Sequence, residues 1–147
     1  MVALLDVNIL IALAWPIHVH YTAAHRWLAS RRASGWATCL LTQSAFVRLS
    51  AQPAVVGVTI SVADALLILE RNLRSADHQF WPMTHALTDI DPAIRSRIMG
   101  PGQLNDALLL DLARSRQGVF ATFDRRIQAL VPSSAEYQSA LEIIPVD

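Results

Sequence analysis

Apolar and polar positions divide the chain into short blocks. Residues 2–5 are continuously apolar and strand-like, and residues 7–14 continue as a helix that must stop before Pro16, whose ring cannot extend it. The stretch HYTAAHRWLASRRA sets Ala24, Trp27 and Leu28 at helical spacing and is ended by Gly35. WATCL reads as a second short strand. Thr42 is expected to N-cap a helix running through LTQSAFVRLSAQ to Pro53, and Ser61 to cap SVADALLILERNLR with Asp64 in the capping-box place. Further on come a candidate strand at HQFW, a short helix at DPAIRSRIM with Pro92 in its first turn, and a turn over Gly100–Gly102. A buried helix at QLNDALLLDLARSR, a strand at VFATF and a final strand at LEIIPV complete the chain. No repeat, low-complexity tract or linker divides residues 1–147, so one domain is expected. Strands separated by helices predict an α/β sandwich with a largely parallel sheet.

That architecture gives meaning to the few polar side chains in the apolar blocks. In open parallel sheets, reactive groups collect beyond the carboxyl ends of the strands, where a polar side chain is exposed without breaking the core. Asp6 ends the first strand and Asp124 ends VFATF; Asp106 lies in the first turn of the buried helix. Each alone has an ordinary reading as a helix cap or a partner of the helix dipole. Together they form a set, because only acids, and not the equally good caps Ser or Thr, occupy all three places. Three carboxylates at short range repel one another unless a cation neutralises them, and a hard divalent ion such as Mg²⁺ or Mn²⁺ prefers such oxygen ligands.

Composition narrows the chemistry. The formal net charge is zero, from 12 basic and 12 acidic residues, and every basic one is Arg. The absence of Lys excludes Schiff-base chemistry, a P-loop lysine and the receiver-domain lysine that would accompany a strand ending in Asp. Neutrality argues against a strongly basic nucleic-acid module, although Arg31/Arg32, Arg95/Arg97, Arg114/Arg116 and Arg125/Arg126 offer local patches beside their ordinary reading as solvated helix faces. A hydrophobic fraction of 53% and a mean hydropathy of +0.34 point to apolar surface covered by a partner. No run is long enough to cross a membrane, and the N-terminal run lacks the basic start of a signal peptide, so a cytoplasmic protein is expected. The single cysteine, Cys39, is expected to be a buried thiol.

LLDVNILIAL, WATCLLTQSAFVRL, QLNDALLLDLA and FATFDRR, in this order, resemble the PIN domain of VapC-type toxins over nearly the whole chain, and AWPIHVHYTAAHRWL resembles one subgroup of them. The resemblance implies a PIN-like α/β/α sandwich with a short, mainly parallel central sheet. It implies a Mg²⁺- or Mn²⁺-dependent endoribonuclease, the toxin of a toxin-antitoxin pair, silenced by a cognate antitoxin and homodimeric. Carried over position by position, the metal-holding catalytic acids are Asp6, Asp106 and Asp124. Asn8 matches the amide or hydroxyl that supports the first acid, and Thr122 the hydroxyl residue two places before the last.

Gln43 stands where most PIN domains place a Glu. An amide oxygen still holds a metal-bound water but brings no charge, so three formal charges favour one divalent ion over two. Arg125 and Arg126 are candidate phosphate contacts or partners of nearby carboxylates. His18, His20 and His25 make a weak metal motif, since i and i+2 positions do not face each other on a helix; a partly exposed helix start or a wall of the substrate groove accounts for them. Trp15, Trp27, Trp36 and Trp81 are expected in the core or an interface, Asp89 and Asp91 at a loop or helix cap, and Asp111 in solvent. The alternative to a nuclease is a non-catalytic PIN-fold module that binds RNA or protein through the same groove. A haloacid-dehalogenase-type phosphatase would need an acid at Asn8 and a Lys.

Overall fold

The computed structural model describes residues 1–146. Five strands form one sheet: β1 (Ala3–Leu5), β2 (Trp36–Thr38), β3 (His78–Phe80), β4 (Val119–Thr122) and β5 (Leu141–Ile143). Their order is β3-β2-β1-β4-β5 and every pairing is parallel, with Leu5 opposite Ala121 at the centre. The helices are α1 (Val7–Ala14), α2 (Tyr21–Arg31), α3 (Leu40–Ser50), α4 (Pro53–Val56), α5 (Val62–Leu73), α6 (Pro92–Arg95), α7 (Leu104–Ser115) and α8 (Ala135–Gln138).

Side-chain alternation along the strands builds two cores from one sheet. Ala3, Leu5, Trp36, Val119 and Ala121 face one way and pack with Ile9, Trp27, Phe46 and Leu69 from α1, α2, α3 and α5. Leu4, Ala37 and Phe120 face the other way and pack with Ile94 of α6 and with Ala107, Leu110 and Ala113 of α7. The central strands are buried on both faces, which is why they read as unbroken apolar runs. The chain adds strands outward from β1 to β3, then returns to start β4 on the other side of β1. The carboxyl ends of β1 and β4 therefore meet where the strand order reverses.

Most of the expected elements are present, some shortened. The strand predicted at HQFW ends at Phe80, so that Trp81 is free to bury its ring, and VFATF ends at Thr122. Ser61 caps α5 by accepting a hydrogen bond from the Asp64 amide at 3.0 Å. Thr42 is not the N-cap of α3. The helix starts three residues earlier with Cys39 at the cap, and Thr42, at its third position, accepts the Cys39 amide at 3.1 Å and donates to the Cys39 carbonyl. The Cys39 thiol is fully buried, as expected. Single-turn elements such as α4, α8 and the 3-10 turn over Arg125–Leu130 had no counterpart in the pattern, because one turn is too short to show a period.

All four tryptophans serve the scaffold. Trp15 donates to Ser50, Trp27 to Glu142, Trp36 to Asp77 and Trp81 to Gln79, and the last three are buried. Trp81 also sets the one close approach that demands glycine. A Cβ on Gly118 would lie 2.6 Å from the Trp81 ring and 2.7 Å from the Val2 carbonyl oxygen, and the latter belongs to the sheet and cannot yield. Gly118→Ala is expected to lower stability by about 1–3 kcal/mol through this overlap. A urea-unfolding midpoint equal to wild type would show that the strand start tolerates the methyl group.

Candidate active site at the carboxyl edge of the sheet

Asp6 is both the last residue before α1 and its cap. Its Oδ1 accepts the Val7 amide at 2.7 Å, and its Oδ2 accepts the Thr122 hydroxyl at 2.6 Å. Thr122, the last residue of β4, is fully buried and accepts the Asn8 side-chain amide at 3.2 Å and the Asp124 backbone amide at 3.0 Å. One hydroxyl thus joins Asp6, Asn8 and the Asp124 backbone across the β1/β4 boundary. The Asn8 Oδ1 is buried with no hydrogen-bond partner among the described residues.

Asp124 caps the 3-10 turn that follows it, accepting the Arg126 amide at 2.9 Å. The Arg126 guanidinium, itself almost fully exposed, closes a fork on the same carboxylate, with Nε at 2.9 Å from Oδ1 and Nη2 at 2.8 Å from Oδ2. Asp106 stands in the first turn of α7 and shares a recess of about 270 Å³ with Asp124, Arg126, Gly102 and Gln103. The three acids named from the sequence therefore occupy one edge, and Thr122 and Asn8 sit among them. Gln43 turns elsewhere: its amide donates to Thr38 at 2.9 Å, and no hydrogen bond among the described residues joins it to the acids. Arg125 is exposed and forms no ion pair among the described residues.

Electrostatics separate the three acids. Burial, with repulsion from Asp106 and Asp124, pushes the Asp6 carboxyl up from 3.8 to about 6, against the downward pull of its hydrogen bonds to Thr122 and Val7. Burial and then repulsion from Asp124 raise Asp106. The Arg126 fork holds Asp124 below its ordinary value. Among the described residues, neither Asp6 nor Asp106 has a cationic side chain paired with it, and no three His, Cys, Asp or Glu side chains are gathered tightly enough to hold an ion unaided.

Other candidates resolve differently. Asp91 caps α6 and, with Asp111 and Glu136, surrounds Arg114, at 3.0, 3.5 and 3.5 Å. Asp111 is thus drawn into an ion cluster and not left in solvent, because Arg114 lies one turn along α7. The histidines of the α1–α2 connection do not converge as ligands: His18 Nδ1 accepts the His20 amide, and His25 Nε2 bonds the Leu13 carbonyl oxygen.

The raised Asp6 makes stability fall with pH in the metal-free chain. Below 3.8 the carboxyl is protonated in folded and unfolded chains alike; between 3.8 and about 6 the unfolded chain ionises first, and stability falls until the full cost stands above about 6. That cost is about 3 kcal/mol. In chelator, wild type compared with Asp6→Asn is expected to lose stability between about pH 4 and pH 7, whereas a constant difference would mean an ordinary carboxyl.

Residues 3–131 match the PIN domain family. The chain is 42% identical over 125 residues to ribonuclease VapC44 of Mycobacterium tuberculosis, covering 85% of this chain and 87% of that protein. It is 41% identical over 128 residues to ribonuclease VapC38 of the same organism, covering 87% and 89%. The fold superposes with a TM-score of 0.68 at 14% identity on a chain in the crystal structure of VapBC2 from Rickettsia felis bound to a DNA fragment from their promoter, covering 99% of this chain and all of that one. The sheet order, the acids gathered at its switch point and these likenesses agree, and the chain belongs to the PIN-domain family, in its VapC branch.

Proposed function

We propose that this protein is a divalent-metal-dependent endoribonuclease, the toxin of a toxin-antitoxin pair. The observation that carries the reading is Asp6, a buried carboxylate at the topological switch point with no cationic side chain paired with it among the described residues and a second acid, Asp106, repelling it. The relatives named ribonuclease VapC support RNA as the substrate.

The donor set is all oxygen, which suits Mg²⁺ or Mn²⁺ retaining several waters and bound through one or two carboxylates. Asp6 and Asp106 are the residues to hold it, and Asp124 completes the set or orients the attacking water. Three carboxylates and the Arg126 guanidinium leave two net negative charges, the charge of one divalent ion. When bound, the metal supplies Lewis acidity, offsetting charge on the scissile phosphate and favouring hydroxide over water.

The protein's own groups supply orientation. Thr122 fixes the Asp6 carboxylate, and the Asn8 Oδ1, without a partner among the described residues, is an acceptor suited to a positioned water. Arg126 is long, exposed and already at the site, so exchanging Asp124 for a substrate phosphate keeps its fork satisfied. Hydrolysis joins a water oxygen to phosphorus and releases one ribose oxygen with a proton, and these groups set the line of that attack.

Protein partners are supported by apolar surface. Leu40, Val62, Leu66 and Leu67 on α3 and α5 are each more than half exposed, and Leu40, Val62 and Leu66 line a groove of about 390 Å³ with Val47 and Leu69. An antitoxin or a second copy of the chain would cover it. A second reading, a binding module without catalysis, is favoured by the Arg126 fork, which ties up Asp124.

Mn²⁺ titrated into wild type by calorimetry is expected to bind near one ion per chain, and Asp6→Asn and Asp106→Asn to lose that binding together with cleavage of structured RNA and growth inhibition. Cleavage retained by the purified variants would remove the site. Thr122→Val, which keeps the volume and deletes the hydroxyl, is expected to lower activity by about 10- to 100-fold. Unchanged turnover there would mean that Asp6 needs no orienting partner.

A further inference from the structure

The α1–α2 connection carries two aromatic rings, His18 and His20, to the same strand end from the opposite side, where they meet Phe123. Phe123 lies between Thr122 and Asp124 in the chain and packs against the core beneath α1, α2 and α3. The His20 ring packs against it at a tilt of 44° with centroids 4.9 Å apart, and His18 packs against His20 at 53° and 5.6 Å. Asp106 reaches the edge from α7, on the other face of the sheet. The acids and the rings thus flank the carboxyl edge from its two sides.

The cluster is braced. Trp15 is tied to Ser50, the His18 amide to the Trp15 carbonyl, and the Tyr21 amide to the His18 carbonyl. The His18 Nδ1 accepts the His20 amide at 3.0 Å, which leaves the proton of the neutral ring on Nε2. His20 differs from its neighbours. Whereas His18, His25 and His78 each engage a ring nitrogen, the half-buried His20 side chain makes no hydrogen bond among the described residues. A ring held by aromatic contact with Phe123, the residue before Asp124, offers its other face to another flat ring. Ile17 and Val19, on either side of His18 in the chain, are largely exposed.

We infer that the His20 ring, seated on Phe123 and flanked by His18, is a stacking platform for a nucleobase of single-stranded RNA, seating the nucleotide next to the scissile phosphate beside Asp6 and Asp124. The inference rests on the ribonuclease reading for the identity of the ligand. Every base has a π-face, so the platform positions a strand with little demand on sequence, and the His18 Nε2–H adds one donor toward a base edge. Only an unpaired base reaches such a surface, which makes the class of substrate a loop or an unstructured segment.

The test uses the full chain and a single-stranded oligoribonucleotide carrying 2-aminopurine at successive positions, with binding read by fluorescence in chelator and cleavage read in Mn²⁺. Wild type is expected to quench the probe at one position. His20→Ala is expected to abolish that quench and raise KM about tenfold or more, the size of one lost base–aromatic stack, with kcat unchanged. His20→Phe is expected to restore both. The platform is overturned if His20→Ala leaves quench and KM at wild-type values, if His20→Phe fails to rescue, or if kcat falls with KM constant. Position-specific quenching without cleavage would leave the platform standing and end the ribonuclease reading; cleavage indifferent to His20 would do the reverse.

Discussion

The Thr122 hydroxyl is the interaction on which the site depends. It is fully buried, donates to Asp6, and receives Asn8 and the Asp124 amide, so it makes three hydrogen bonds where one side-chain oxygen has capacity for three. Those bonds cross from β1 to β4 only because the two strands are neighbours in register, Leu5 against Ala121. Sheet topology and site geometry are therefore one constraint. A slip of one residue in that pairing would turn the hydroxyl to the opposite face and strand a carboxylate in the core.

The acids show how position divides one chemistry into two behaviours. Asp6, walled in and facing like charge, resists ionisation, whereas Asp124, less buried and held by Arg126, welcomes it. Folding meets the cost of the first through the apolar contacts of β1 and α1, whose Leu4, Leu5 and Ile9 are wholly buried. A site that is unfavourable in the bare protein favours whatever neutralises it.

Much of this was legible in the sequence, and the exceptions have physical reasons. The apolar runs, Pro16, Ser61 and Gly35 marked strands and helix ends because local sterics and capping act within a few residues. Asp6, Asp106 and Asp124 stood out because each interrupts or borders an apolar block at a place the parallel-sheet rule singles out. Thr42 misled, since a threonine is equally apt at the cap and at the third position answering it, and only the Cys39 amide decides between them. Neither the turn of Gln43 toward Thr38 nor the enclosure of Asp111 by Arg114 was readable, because both depend on which of several reachable partners the packed chain brings near. The packing of the His20 ring against Phe123 joins residues about a hundred positions apart, and no local pattern announces it.

The strands are short, three or four residues each, and the two that end the sheet, β3 and β5, have three. An outer strand of that length presents too few open amide and carbonyl groups to recruit another chain edge to edge, so the sheet is a poor seed for aggregation. For a protein that leaves Leu40, Val62 and Leu67 exposed, this separates two hazards. Side chains remain available for reversible association, while the backbone gives a misassembled copy little to extend.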